Sequence, residues 1–184
     1  MQQAEMQTVP VKSYPAAWRW IHWLTAIVVL SLIPAGLVMT RMPEGPAQDQ
    51  IFSLHKSFGL LVLALTIIRL TWKVTQGGPP AVATLTPFER IASHSAHGLL
   101  YILLLAVPFG GWLGLSAYGF PPSFFGLFTL PALLAKSEPL AGKIFTAHFI
   151  GALAIGAIAL VHIAGAVSHL RRGDGVFARM WPRK

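Results

Sequence analysis

Two histidines fourteen residues apart, His148 and His162, lie within one long apolar stretch at about residues 142–170. Fourteen residues of α-helix make about 3.9 turns and rise about 21 Å, so both imidazoles point to nearly the same side at two depths. Ionisable side chains are costly in a bilayer-length segment, and by default they mark a functional site. Imidazole is also an axial ligand of haem iron. We therefore expect this helix to offer one ligand to each of two stacked haems.

Each of these histidines is followed one turn later by a glycine, Gly151 after His148 and Gly165 after His162. On a helix, the residue at position i+3 lies beside the residue at position i. A glycine there leaves open space in which a flat macrocycle can press against the backbone. The sequence therefore predicts open space beside both histidines.

Composition places this helix in a membrane protein. The 184-residue chain is 54% hydrophobic and only 11% charged, and its mean hydropathy is +0.62, whereas a soluble domain carries about 25% charged residues. A membrane span requires about 20 apolar residues, and four stretches are long enough. They lie at about residues 16–39, 51–74, 91–117 and 142–170. We expect an all-α membrane protein in which one domain over residues 1–184 forms a four-transmembrane-helix bundle. The first stretch is too long for a cleaved signal peptide and lacks an A-x-A site, so we expect it to be retained.

The sequence contains no cysteine. This excludes disulfides, cysteine-ligated iron–sulfur clusters and the C-x-x-C-H attachment of c-type haem. Any haem is therefore held non-covalently, as b-type haem is.

Basic residues are distributed unevenly between the two sides of this bundle. If the four stretches alternate in direction, ten basic residues fall on the side of both termini and four on the other side. By the positive-inside rule, both termini are then cytoplasmic. Anionic lipid headgroups account for the excess next to the spans, so no nucleic-acid partner is expected. The ten are Lys12, Arg19, Arg69, Lys73, Arg90, Arg171, Arg172, Arg179, Arg183 and Lys184, and the four are Arg41, Lys56, Lys136 and Lys143.

This topology assigns a depth to each remaining histidine. The first helix runs outward and the second runs inward, so His22 lies on the cytoplasmic side and His55 on the outer side. In the fourth helix, which also runs inward, His148 is outer and His162 is inner. Bis-histidine ligation needs two rings from different helices at equal depth. The depths therefore pair His55 with His148 for an outer haem and His22 with His162 for an inner haem.

Simpler interpretations exist for several of these residues. A single histidine near a helix end, such as His22 or His55, is more often an interfacial or hydrogen-bonded residue than a ligand. His94 and His97 have the i, i+3 spacing of a zinc site, but the nearest acid is Glu89 in the flanking loop. Two imidazoles on one face of a membrane span have few such explanations, and this favours haem.

His97 and His169 remain, both toward the cytoplasmic side. Beside the inner haem, a pair of hydrogen-bonding imidazoles would suit the carbonyl oxygens of a quinone, with protons available from the cytoplasm. Alternatively, both face lipid headgroups, since histidine is common at such helix ends. The residues leave these two interpretations open.

A series of short motifs follows the same order as the predicted helices. They are Trp20-Ile21-His22-Trp23, His55-Lys56-Ser57-Phe58-Gly59, Ala92-Ser93-His94-Ser95-Ala96-His97 leading to Tyr101, Pro108 with Gly110 and Gly111, Ala147-His148, Val161-His162, His169, and Arg179-Met180-Trp181-Pro182-Arg183-Lys184. In this order and with these spacings, nearly the whole chain resembles the bacterial cytochrome b561 family of di-haem, four-helix membrane proteins.

The resemblance implies two b-type haems in a multi-pass protein of the bacterial inner membrane, with ubiquinone as a substrate. The axial iron ligands that it implies are His22, His162, His55 and His148, and the residues that it places near the quinone are His97 and His169.

Within this family, the chain resembles the superoxide oxidase type. This type implies an oxidoreductase that takes electrons from superoxide outside and passes them to ubiquinone. Lys56 and Lys143 near the outer haem would steer such an anionic donor. Two other functions stay open: an electron-relay or anchor cytochrome b subunit of a membrane dehydrogenase or hydrogenase, and a haem or metal carrier without redox turnover. The expected partners are membrane lipid, quinone and a small electron donor, and no protein partner is required.

Overall fold

The computed structural model describes residues 13–182, and four long α-helices dominate it. They are α1 (Ala16–Met39), α2 (Pro46–Gln76), α3 (Pro87–Tyr118) and α4 (Glu138–Arg172). All four are long and apolar enough to cross a membrane. The predicted all-α, four-helix membrane architecture is therefore confirmed. Helix α1 has the predicted bounds, and the other three extend a few residues beyond the predicted stretches at both ends.

The extra residues at the N-terminal ends are explained by the way these helices begin. A proline occupies one of the first two positions of α2, α3 and α4, where its missing N–H and fixed φ fit the helix. Helix α3 also has a capping box, in which Thr86 Oγ1 accepts from Glu89 N at 3.2 Å and Glu89 Oε2 accepts from Thr86 N at 2.9 Å. These polar first turns lie outside the apolar stretches from which the spans were predicted.

The helices pack as two hairpins, α1 with α2 and α3 with α4, joined by contacts between α2 and α3. Within residues 13–182, the backbone of α4 approaches that of α1 at few positions and comes within 8 Å of that of α2 at none. Small residues allow the close approach of α3 and α4. A Cβ atom added at Gly114 would lie 2.7 Å from Phe145 Cε1, and one added at Gly151 would lie 2.5 Å from Val107 Cγ2.

The contact at Gly151 corrects one prediction. The space beside this glycine is filled by the Val107 side chain of α3, so it is not open to a macrocycle. The glycine serves helix packing instead. The matching prediction for Gly165 is confirmed, because a Cβ atom added there would meet nothing within 4 Å.

At one end of the bundle, the segment before α1, the α2–α3 linker and the segment after α4 lie together. Tyr14 N donates to Arg179 O at 3.2 Å, Arg179 Nη2 donates to Pro79 O at 2.7 Å, and Arg19 Nη1 donates to Trp181 O at 2.8 Å. Arg179 belongs to a short 3₁₀-helix, Phe177–Arg179. This is the end to which the basic excess was assigned; Lys12, Arg183 and Lys184 of that set lie outside the described residues.

At the opposite end, the α3–α4 connection folds into a small antiparallel hairpin of β1 (Ser123–Phe124) and β2 (Phe128–Thr129). Phe125 N donates to the buried hydroxyl of Ser57 on α2 at 2.9 Å, which fixes the hairpin beside α2. Its tip exposes 77% of Leu127 and 57% of Phe128. Exposed apolar side chains at the end of a membrane bundle suit a position at the membrane interface.

Candidate functional site

Two pairs of histidines face each other across the space between α4 and the α1–α2 hairpin. The ring centroids of His55 on α2 and His148 on α4 are 6.2 Å apart, with an angle of 68° between the ring planes. Those of His22 on α1 and His162 on α4 are also 6.2 Å apart, with an angle of 72°. The structure thus brings together both pairs that were predicted from depth.

These separations fit imidazoles on opposite sides of one metal ion. A metal–imidazole nitrogen bond is about 2.0 Å long and the ring centroid lies about 1 Å beyond the nitrogen, so two opposed ligands have centroids about 6 Å apart. His97 also lies beside His162, but their centroids are 5.1 Å apart, about 1 Å too close for the same arrangement. Distance therefore selects His22 as the partner of His162.

The ring nitrogens of these histidines differ in their hydrogen bonds. His148 Nδ1 lies 2.8 Å from the carbonyl oxygen of Val107, so this nitrogen donates its hydrogen and leaves Nε2 free to bind a metal. The Nδ1 atoms of His22 and His55 are buried and have no hydrogen-bond partner within residues 13–182. A buried polar atom without a partner is costly, and a group bound between the helices would account for it. The residues present therefore fit bis-imidazole binding of haem at both pairs.

The fourteen-residue spacing of α4 recurs on the other three helices. We call the positions nearer the bundle end at which the segments before α1 and after α4 lie the inner layer, and those fourteen residues away the outer layer. The inner layer is His22, Arg69, His97 and His162, and the outer layer is Gly36, His55, Gly111 and His148. Because the spacing keeps the same helix face, each helix contributes one residue to each layer, about 21 Å apart along the axis.

The outer layer includes two glycines, Gly36 and Gly111, to which the sequence analysis assigned no role at the site. A Cβ atom added at Gly36 would lie 3.2 Å from His55 Cε1, and one added at Gly111 would lie 3.2 Å from His148 Cε1. Both distances are tighter than ordinary van der Waals contact, so each glycine leaves room for one imidazole of the outer pair. The signal in the sequence was their spacing of fourteen residues from His22 and His97.

The structure separates the two histidines that were predicted to contact quinone. His97 belongs to the inner layer, and its Nδ1 lies 3.2 Å from Ser93 Oγ. His169 lies seven residues beyond His162, and its Nδ1 is 2.6 Å from Asp174 Oδ2. No contact within residues 13–182 joins the rings of His97 and His169.

The His169–Asp174 pair lies at the C-terminal end of α4. His169 lines a cavity of about 450 Å³ together with the aromatic side chains of Phe177 and Trp181. Burial raises the pKa of the Asp174 carboxyl. The hydrogen bonds with His169 and with the Val176 N–H lower this pKa by more than burial raises it, so the net shift is downward. Asp174 is therefore ionised at neutral pH and can accept a hydrogen bond from His169 Nδ1. Arg172 Nη2 lies 2.8 Å from the same nitrogen.

The remaining candidate residues lie near the ends of the helices. Lys56 follows His55 and is half-buried, whereas Lys143 is exposed near the start of α4. Neither forms an ion pair with another residue of the described chain. The exposed His94 binds the Arg90 carbonyl oxygen through Nδ1 at 2.7 Å. No three His, Cys, Asp or Glu side chains converge on a metal site in residues 13–182.

Comparison with known proteins agrees with this architecture. A family model described as prokaryotic cytochrome b561 matches residues 13–183. Cytochrome b561 homolog 2 of Escherichia coli (strain K12) is 33% identical over 149 residues, which cover 80% of this chain and 79% of that protein. Cytochrome b562 of Cereibacter sphaeroides is 30% identical over 156 residues, covering 81% and 82%. The probable superoxide oxidase CybB of Yersinia pestis is 25% identical over 174 residues, covering 94% and 98%. The chain is a membrane cytochrome that belongs to the prokaryotic cytochrome b561 family.

Proposed function

We propose that this protein binds two haems b and transfers electrons between a small donor on the outer side and ubiquinone on the inner side. The observation that carries the proposal is the presence of two histidine pairs at two depths, each with a centroid separation of 6.2 Å. His55 and His148 would hold the outer haem, and His22 and His162 the inner one. When bound, the haems supply a one-electron carrier at each depth. The whole chain, residues 1–184, would form this one domain.

We propose the bacterial inner membrane as its location, with both termini in the cytoplasm. Contacts of Arg179 with Tyr14 and Pro79 gather the N-terminal segment, the α2–α3 linker and the C-terminal segment at one end of the bundle. Ten of the fourteen Lys and Arg residues were assigned to this end of the bundle and four to the other end. The positive-inside rule then places it in the cytoplasm.

The cavity beside His169 is the best candidate for the quinone ring. Its aromatic lining suits a flat apolar ligand, and the imidazole offers a hydrogen-bonding group at its edge. Reduction of a quinone to a quinol consumes two electrons and two protons. Asp174 orients His169 through Nδ1, so the other ring nitrogen can donate to a quinone oxygen and be reprotonated from the cytoplasm. His97, in the inner layer, would line the same side of the inner haem.

Neutralising Asp174 tests this quinone site. We expect Asp174→Asn and His169→Ala to slow ubiquinone reduction about 10²-fold, the usual contribution of a positioned acid–base group. Asp174→Asn should also change the pH profile of turnover, while the haem absorption bands and their reduction by the outer donor stay unchanged. Stopped-flow measurements with a soluble ubiquinone check both results.

Asp49→Asn is the matched control, because it makes the same chemical change at an exposed carboxyl in the first turn of α2 that forms no ion pair within residues 13–182. This variant should retain normal turnover. Undiminished ubiquinone reduction in both Asp174→Asn and His169→Ala would exclude the proposed site.

On the outer side, we propose superoxide as the donor. The similarity to the Yersinia pestis protein supports this choice, as does the presence of Lys56 and Lys143 near the outer histidine pair. Each of two superoxide ions would lose one electron and become dioxygen, and the two electrons with two cytoplasmic protons would convert one ubiquinone to ubiquinol. Lysines without ion-pair partners attract an anion over roughly a Debye length, about 8 Å at physiological salt.

Charge removal tests the choice of donor. We expect Lys56→Gln with Lys143→Gln to lower the rate of haem reduction by superoxide about tenfold at low salt, and to weaken its dependence on ionic strength. Reduction by a neutral donor should be unaffected. Lys136→Gln is the control, because Lys136 is already paired with Glu138 at 3.4 Å. If superoxide reduces the wild-type haems no faster than an uncatalysed control, the superoxide proposal fails and the relay or anchor subunit becomes the better interpretation.

A further inference from the structure

Arg69 is a cation inside the bundle at the depth of the inner histidine pair. It lies on α2 fourteen residues after His55, and therefore on the same helix face and about 21 Å further inward. It lies close enough to both His22 and His162 to interact with them electrostatically. A charged side chain in a membrane span is costly unless it has a partner, so the position calls for a function.

A second cation lies one turn away, against the same aromatic ring. Arg69 Cζ is 5.6 Å from the ring centroid of Tyr101 on α3, and Lys73 Nζ is 4.8 Å from the same centroid. Such cation–π contacts keep the charged groups of Arg69 and Lys73 close together beside the Tyr101 ring. They do not neutralise the two positive charges.

None of the carboxylates in residues 13–182 lies within ion-pair distance of this cluster. The Nε atom of Arg69 is buried and has no hydrogen-bond partner in the same part of the chain. Arg69 and Lys73 thus place two positive charges beside the Tyr101 ring, and the buried Arg69 Nε–H has no acceptor within residues 13–182. Such an arrangement forms a site for an anion. Guanidinium and carboxylate match in a planar, two-bond geometry, which makes a carboxylate a well-suited ligand.

We propose that Arg69, supported by Lys73 and Tyr101, binds a propionate carboxylate of the inner haem. This inference rests on the proposed binding of that haem by His22 and His162. The propionates are the anionic groups that a b-type haem brings to this depth. A lipid phosphate is the less suitable ligand, because the unsatisfied Nε atom is buried within the protein and the guanidinium lies beside the inner histidines.

The proposal predicts a shift in the redox equilibrium of one haem. A cation near a haem favours the reduced form, which carries one less positive charge. We expect Arg69→Gln to lower the reduced-to-oxidised ratio of the inner haem about tenfold at a fixed ambient potential, which corresponds to a midpoint potential lower by about 59 mV for one electron. The outer haem should keep its potential. Lys73→Gln should shift the inner haem in the same direction by less, and it serves as the second variant if Arg69→Gln does not fold.

Two control variants separate this site from general effects of charge. Arg69→Lys keeps the positive charge, and we expect it to restore most of the wild-type potential. Arg171→Gln removes an exposed charge near the cytoplasmic end of α4, and it should leave both potentials unchanged. Spectroscopic redox titration of purified protein gives all these values.

Haem dimethyl ester, in which both propionates are esterified, identifies the anion. Protohaem should be retained at the inner site more tightly by wild type than by Arg69→Gln, whereas this ester should be retained equally by both, because only protohaem supplies the carboxylate that Arg69 binds. A difference that persists with the ester but disappears when nanodiscs of phosphatidylglycerol are replaced by phosphatidylcholine would assign the site to lipid phosphate and overturn the proposal. An unchanged inner potential in Arg69→Gln protein that holds two haems would also overturn it. Absence of the inner haem from wild type would instead refute the proposed function.

Discussion

We expect His148→Ala and His55→Ala to be purified with one b-type haem per chain instead of two. Each variant removes one of the two imidazoles whose centroids are 6.2 Å apart in the outer pair, and so would remove one of the two proposed bonds to the iron of the outer haem. The inner pair is made by different residues about 21 Å away along the helices, so its haem should remain. Loss of one component from the redox titration should accompany the loss of haem.

The reciprocal variants make the experiment specific. His22→Ala and His162→Ala should lose the inner haem and retain the outer one. The component missing from their redox titrations should therefore be the one that His148→Ala and His55→Ala retain. His94→Ala is the matched control, because His94 is exposed and binds only a backbone carbonyl of its own helix. Retention of both haems in the His162→Ala variant would contradict the assignment of the inner pair.

A second large effect is expected from substitutions that add volume beside the outer pair. A Cβ atom at Gly111 or Gly36 would already lie 3.2 Å from an imidazole carbon of His148 or His55. The branched side chain of valine must therefore displace the ring, and a bis-imidazole site tolerates little displacement. We expect Gly111→Val and Gly36→Val to lose most of the outer haem while the inner haem remains.

The retained inner haem shows in the same sample that the bundle has folded. Gly142→Val is the matched control, because Gly142 is exposed and a Cβ atom there would meet nothing within 4 Å. It should hold two haems, as measured by haem extraction and by the absorption spectrum. Full haem content in Gly111→Val would show that this glycine does not shape the outer site.

Much of the site followed from helical periodicity. The depth of each span predicted which histidines face each other, because the rise per residue is fixed and charge distribution indicates the direction of each helix. The same periodicity identifies Gly36, Arg69 and Gly111, since each is fourteen residues from a histidine on its own helix. These residues are visible in the sequence only once the spacing is sought on every helix.

Contacts between neighbouring helices could not be predicted in this way. Whether space beside a glycine is open depends on the side chain that the next helix places there, and Val107 fills the space at Gly151 while that at Gly165 stays open. The partner of His169 depends on the chain reversal after α4, where Gly173 adopts a φ of +64° and brings Asp174 back to the helix end. A periodic pattern contains no information about that turn.

The number of haems bound by the wild-type protein tests the central claim most directly. Purified protein should yield two haems b per chain by acidic solvent extraction, and its spectrum should be that of six-coordinate, bis-imidazole iron at both sites. Redox titration should resolve two one-electron components of equal amplitude. One haem per chain, or a five-coordinate spectrum for either component, would contradict the account of two histidine pairs at two depths.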